Sequence, residues 1–203
     1  MSVFIQEHVP FLTPEQLYNL GEGRLLGAGS YGSVRQLVYE GTEAIKKELL
    51  DEVSCLELLR EAHFLVQMNG AGGVPRLLAV CQTPPVLVQE FVGQTYEKYL
   101  YACSVGGFLN SLISLSQRLG EIHAKGIVHN DLKVNNITFT GTVSEPVFHI
   151  IDFGLACRVG QVAPGQELAF SETVVRNMRP EKYTQRTFYE IKNEDFLCSF
   201  DED

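Results

Sequence analysis

Two aspartates and the groups spaced around them hold the reactive chemistry of this chain. Asp131 lies in Val128-His129-Asn130-Asp131-Leu132-Lys133-Val134-Asn135-Asn136, and Asp152 opens Asp152-Phe153-Gly154 twenty-one positions later. One carboxylate flanked by a lysine and an amide can take the proton of an attacking hydroxyl. A second can hold a hard divalent cation, and the two jobs together suit movement of a phosphoryl group. In that division Asp131 orients the nucleophile, Lys133 meets the transferring group, and Asn136 and Asp152 are the metal ligands. Far upstream stands Gly27-Ala28-Gly29-Ser30-Tyr31-Gly32. Glycines there let backbone N–H groups approach phosphate oxygens where a side chain would block them.

These groups need rigid elements to hold them. The glycine-rich run is flanked by β-prone sequence, Arg24-Leu25-Leu26 before it and Val34 to Tyr39 after it, leading on to Ala44-Ile45-Lys46. A dinucleotide-binding turn with the same glycine spacing opens a helix instead. The pattern therefore predicts a hairpin folded over phosphates, with a plain glycine-rich turn as the bland alternative. Lys46 is placed at the end of the next strand. Lys47, on the opposite face, reads as a solvated neighbour. Leu56 to Leu65 is an amphipathic helical stretch with Glu57 and Glu61 one turn apart on one face. Val86 to Gly93 reads as a buried strand entering a connection. Leu112, Leu115, Leu119 and Ile122 recur at helical spacing, and Gly126 ends that helix. The strand Val147 to Ile151 delivers Asp152. Thr13-Pro14-Glu15 is a helix start, with a capping hydroxyl, proline in the first turn and an acid after it.

Composition excludes several classes. At 203 residues, 45% hydrophobic and 20% charged, the chain reads as one globular domain or two small lobes sharing a cleft. A formal net charge of −9 argues against a nucleic-acid or anionic-membrane surface. The five cysteines are widely spaced with no C-x-x-C pair, which predicts reduced structural thiols in an intracellular, cytoplasmic or nuclear setting. No basic, apolar leader stands at the N-terminus, and no run approaches a membrane span.

In this order the landmarks resemble the eukaryotic-type protein kinases, in their serine/threonine form because of Lys133. The resemblance covers roughly residues 21–200. It implies an α+β bilobal fold: an extension at 1–20, a small antiparallel β lobe with one helix at 21–92, and a shortened helical lobe at 93–203. It also implies ATP and magnesium as cofactors and a protein hydroxyl as acceptor. Lys46 takes the place of the strand lysine of V-A-I-K, with Glu43 replacing the valine, and Glu61 clamps it, Glu57 being the rival. Leu26, Val34 and Ala44 enclose the purine, and Gly27, Gly29 and Gly32 cover the phosphates. Gln89 is the gatekeeper, and Glu90 to Val92 form the hinge. Lys46 and Lys133 supply local positive charge in an acidic chain, and His129 packs under Phe153.

The chain also departs from the family pattern. Asn130 stands where the arginine of H-R-D is usual, as in kinases that do not depend on a phosphorylated activation loop. Met178-Arg179-Pro180-Glu181 resembles the end of the activation segment, and Asp195 the aspartate of the next helix, after which the sequence stops. Three explanations stand side by side: a fragment, a minimal kinase, or a module completed by a partner that covers Phe196, Leu197 and Phe200. Ser171, Thr173 and Thr184 are candidate phosphorylation sites but read more simply as solvated. Two other readings stand beside protein kinase: a small-molecule phosphotransferase of similar fold, and a pseudokinase or nucleotide-binding scaffold without transfer activity.

Overall fold

The computed structural model describes residues 2–29, 32–49 and 55–161. Five antiparallel strands form the first sheet: β1 (Arg24–Gly29), β2 (Gly32–Tyr39), β3 (Thr42–Leu49), β4 (Leu77–Cys81) and β5 (Val86–Glu90), in the order β1-β2-β3-β5-β4. Before them come α1 (Ser2–Gln6) and α2 (Pro14–Asn19), and between β3 and β4 lies α3 (Cys55–Met68). Thr13 caps α2 by accepting from the Gln16 N–H at 3.2 Å, while the Gln16 side chain accepts from the Thr13 N–H at 2.8 Å. Two donors at that helix end are thus satisfied reciprocally.

The β2–β3 connection fixes everything downstream on this sheet. Glu40 and Gly41 both have positive φ (48° and 81°), so they form a two-residue turn whose twist matches that of the strands. Tyr39 faces Thr42, and the ladder then places Val34 opposite Lys47 and Arg35 opposite Lys46. Side chains alternate between faces. Leu37, Ala44 and Val88 therefore point outward and bury against Leu17 of α2. Leu77 and Leu87 point inward, into the core that α3 fills with Leu58, Ala62, Leu65 and Met68.

That inner core continues into the second lobe. Here α4 (Tyr96–Ala102) and α5 (Val105–His123) pack on a three-stranded sheet ordered β6-β8-β9, where β6 is Gln94–Thr95, β8 is Ile137–Gly141 and β9 is Pro146–Ile150. Tyr99 meets Phe139 and Phe148 edge-on, with ring centroids 5.5 and 5.0 Å apart. The chain crosses between lobes at Gly93, where φ is +88° and a Cβ would lie 2.0 Å from the Phe139 carbonyl oxygen. Only glycine fits this crossing. Two short strands, β7 (Ile127–Val128) and β10 (Cys157–Arg158), pair antiparallel beside the catalytic-loop sequence.

The N-terminal segment is more than an appendage. Ile5 is fully buried in the main core, Phe4 meets His63 of α3 edge-on, and Phe11 bridges to Val80 of β4. Cys81 and Cys103 are free thiols, whereas Cys157 is disulfide-bonded, which departs from the expectation of reduced thiols throughout. Among the described residues, no helix is long and apolar enough to cross a membrane. The activation-segment residues Ser171, Thr173 and Met178 to Glu181, together with Thr184, Asp195 and the apolar Phe196, Leu197 and Phe200, lie outside the described residues.

Candidate active site

The cleft between the lobes gathers charge from three separate elements. Lys47 leaves the inner face of β3, Glu61 comes from the second turn of α3, and Asp152 follows β9. Lys47 Nζ is 2.7 Å from Glu61 Oε2 and 2.7 Å from Asp152 Oδ1. Glu61 is buried, whereas Asp152 keeps 40% of its side-chain surface accessible. Burial opposes the charge on Lys47, but Glu61 and Asp152 outweigh it and hold the ammonium above its ordinary range. Burial alone would raise the Asp152 carboxyl. The Lys47 charge and hydrogen bond prevail, so it sits below the usual aspartate value. Glu61 is pushed up by its complete burial, against the pull of Lys47.

The second cluster lies on the loop between β7 and β8. Lys133 Nζ donates to Asp131 Oδ2 at 2.6 Å, and Asn136 Nδ2 donates to both the Asp131 carbonyl oxygen and Oδ2 at 2.9 Å. These bonds leave Asp131 Oδ1 for another partner. His129 is fully buried beneath Phe153, with ring centroids 4.7 Å apart. Its Nδ1 accepts from the Asp131 N–H at 3.2 Å, so Nε2 carries the proton and donates to the Ile151 carbonyl oxygen at 3.0 Å. One imidazole thus ties the backbone at Asp131 to the strand that ends at Asp152.

The two clusters face each other because of strand pairing. Ile137 pairs with Ile150, and the Ile151 N–H donates to the Asn136 carbonyl oxygen at 2.9 Å. Asn136 and Asp152 therefore emerge from the same end of the β8–β9 ladder. The Asn136 amide nitrogen is committed to Asp131, leaving its side-chain carbonyl oxygen as a donor to a cation. Asp152 commits Oδ1 to Lys47 and has Oδ2 left. Two hard oxygens from separate strands fit magnesium, which takes one or two protein oxygens and completes its shell with phosphates and water. Among the described residues no cluster of three or more His, Cys, Asp or Glu side chains forms a self-sufficient metal site.

The protein kinase domain family matches residues 20–181, most of the chain. The chain belongs to the protein kinase superfamily. Its five-stranded antiparallel sheet with α3 is the kinase small lobe, and the α5, β8 and β9 region belongs to the large lobe.

Within that kinase frame the expected register of β3 is corrected. Lys46 does not meet Glu61. It lies on the outer face of β3, only 4% exposed, with Nζ 3.2 Å from the Gly21 carbonyl oxygen and 2.8 Å from Glu48 Oε1. Ala44 is on that outer face too, fully buried against the α2 side, so it cannot line a purine pocket. The motif reads one residue later, as Ala44-Ile45-Lys46-Lys47. Ile45 and Lys47 share the cleft face with Val34. A shift of one residue moves every side chain of a strand to the other face. Each frame offered a lysine two residues after an apolar one, Ala44 before Lys46 and Ile45 before Lys47, and only the Glu40-Gly41 turn distinguishes them.

The remaining predicted positions fall as follows. Glu57 is exposed, while Glu61 is buried and paired. Gln89 is 3% exposed on the inner face of β5, opposite Ile45, and its Oε1 lacks a hydrogen-bond partner. Glu90 turns outward, and its carboxylate takes Arg76 Nε at 2.9 Å. Its backbone N–H donates to the Arg76 carbonyl oxygen, and the Phe91 N–H to that of Glu43, which anchors the start of the connection before Val92. Leu26 is the bulge residue of β1, 43% exposed, between the paired Leu25 and Gly27. Gly27 pairs with Val34 and Gly29 with Gly32, closing the glycine hairpin. At Gly32, with φ +151°, a Cβ would come within 1.9 Å of the Glu48 carbonyl oxygen.

Proposed function

We propose that this domain transfers the γ-phosphoryl group of ATP to a serine or threonine hydroxyl of a protein. The carrying observation is the Lys47 ammonium held between Glu61 and Asp152, since a lysine fixed and charged in this way is ready to bind phosphate oxygens. Asp131 Oδ1 would accept the proton of the attacking hydroxyl as its oxygen bonds to the γ-phosphorus. The bond to the β–γ bridging oxygen breaks, and the charge left on ADP is balanced beside Lys47. Lys133 neutralises the transferring group, while Asp131 is kept in place by Asn136 and His129. Magnesium, held by Asn136 and Asp152, would supply charge neutralisation across the phosphates. Leu26, Val34 and Ile45 would enclose the base, Gln89 would border it, and the backbone from Glu90 to Val92 would bond its edge. The glycine hairpin at Gly27, Gly29 and Gly32 would cover the phosphates.

The serine/threonine preference is supported by Lys133, paired with Asp131 on the catalytic loop. The test is transfer from ATP labelled at the γ-phosphate to a basic protein with magnesium, using wild type, Asp131→Asn and Asp152→Ala. Transfer lost in both variants, with nucleotide binding retained in Asp131→Asn, supports the reaction as written. Magnesium-dependent binding without transfer by wild type would make the domain a nucleotide-binding scaffold. Absence of binding by the folded protein overturns the reading of the site.

A further inference from the structure

Asn130 has a backbone φ of 62°, in the left-handed region that asparagine tolerates better than other residues with a side chain. Its Nδ2 reaches across to the segment after Asp152-Phe153-Gly154, donating to the Leu155 carbonyl oxygen at 3.1 Å and lying 3.2 Å from Cys157 Sγ. The same two segments are joined on one side of this contact. Val128 pairs with Cys157, Ile127 with Arg158, and the Val159 N–H donates to the Gly126 carbonyl oxygen at 3.0 Å. Asn130 is the side chain that extends this ladder to the residue next to Asp131.

We propose that Asn130 is a positioning residue: its side chain latches the Asp131 loop to the segment leaving Asp152, so that the two carboxylates keep a fixed relation. The role rests on reading Asp131 and Asp152 as the carboxylates of the transfer reaction. A neutral amide bonded to a backbone carbonyl does this without any added charge on the segment that follows. The competing explanation is that asparagine is present only to accommodate the positive φ.

Three proteins separate the two: wild type, Asn130→Gly, which accepts the φ without the side chain, and Asn130→Asp, which keeps the shape but replaces the donor with a carboxylate facing a carbonyl. Amide hydrogen exchange over residues 155–159 reads the latch without any need for activity. Steady-state transfer reads its consequence. The latch predicts roughly fivefold or greater acceleration of exchange in both variants, the loss of about one hydrogen bond. It also predicts a kcat drop of roughly ten- to a hundredfold, with the ATP KM within about threefold of wild type. Wild-type exchange and kcat in Asn130→Gly would overturn it, as would a lost kcat with unchanged exchange. Should the glycine variant fail to fold, Asn130→Asp carries the same two readouts. If wild type transfers no phosphate, the fault lies with the proposed reaction, and the exchange arm still decides whether the latch exists.

Discussion

Val34 and Lys47 stand directly opposite each other across β2 and β3. Because paired residues share a face, this register sends Lys47 into the cleft and its neighbour Lys46 to the outside of the small lobe.

The first expectation concerns those two lysines. Lys47→Met should lower γ-phosphoryl transfer by at least a hundredfold, through lost electrostatic stabilisation. It should also destabilise the fold by on the order of 3 kcal/mol, because Glu61 stays buried without its partner. Lys46→Met should leave transfer within about threefold of wild type while costing roughly 1–3 kcal/mol, because the Gly21 carbonyl and Glu48 lose a buried donor. Parallel transfer assays and urea denaturation check both. Equal losses in the two variants would show that the register argument fails.

Asp152 gives a pH dependence with a definite sign. Its folded pKa is depressed, chiefly because the attraction of Lys47 overcomes burial, so its stabilising contribution exists above the unfolded carboxylate pKa, about 4. That contribution disappears as pH falls through the lower folded value. Glu61 runs the other way, its pKa being raised by burial, so the comparison must be made against Asp152→Asn rather than within wild type alone. The stability difference between wild type and Asp152→Asn should be constant from pH 6 to 8 and shrink steadily below about pH 4. Denaturant titrations across that range measure it.

The glycine hairpin can be tested at two positions that differ in their surroundings. A Cβ at Gly27 meets nothing within 4 Å, whereas one at Gly32 collides with the Glu48 carbonyl oxygen at a φ of +151°. Gly27→Ala should unfold at the wild-type temperature but raise the KM for ATP if phosphates lie against this turn. Gly32→Ala should lose roughly 1–3 kcal/mol of stability before any ligand is added. Thermal melts with and without ATP and magnesium distinguish the two.

Gln89 holds a buried acceptor without a partner. Gln89→Leu removes that cost and should raise stability by about 1 kcal/mol in the absence of ligand. Chemical denaturation of the ligand-free protein is the check, and a destabilised variant would mean the amide is satisfied in solution.

Several features were legible from the residues alone because their signals are local. Asp131, Lys133 and Asn136 lie within six positions of sequence, and one loop brings Lys133 and Asn136 to 2.6 and 2.9 Å from Asp131 Oδ2. The helix read from apolar spacing between Phe108 and Lys125 is present as α5, with Ser104 accepting from the Gly107 N–H as its cap and Gly126 at positive φ beyond its end. Burial of His129 under Phe153 was instead implied by the resemblance to the protein kinases, and the structure has it. Asp152 at the end of a strand followed from the β-branched and aromatic run before it.

What the residues could not decide was face and partner. Ala44-Ile45-Lys46-Lys47 offers a lysine to each side of the sheet, and a period of two makes the choice depend on a turn five residues away. Glu40-Gly41 lacks the asparagine or aspartate that usually announces a two-residue hairpin turn, so its effect on register was silent in the sequence. Asn130 likewise read only as a missing arginine, since its bonds go to residues twenty-five and twenty-seven positions ahead. The sequence by itself determined which chemical groups this kinase domain carries and the order in which they come. Tertiary structure alone decided which lysine enters the cleft and what Asn130 holds, because side-chain direction on a strand and contacts between distant loops depend on pairing that no local pattern encodes.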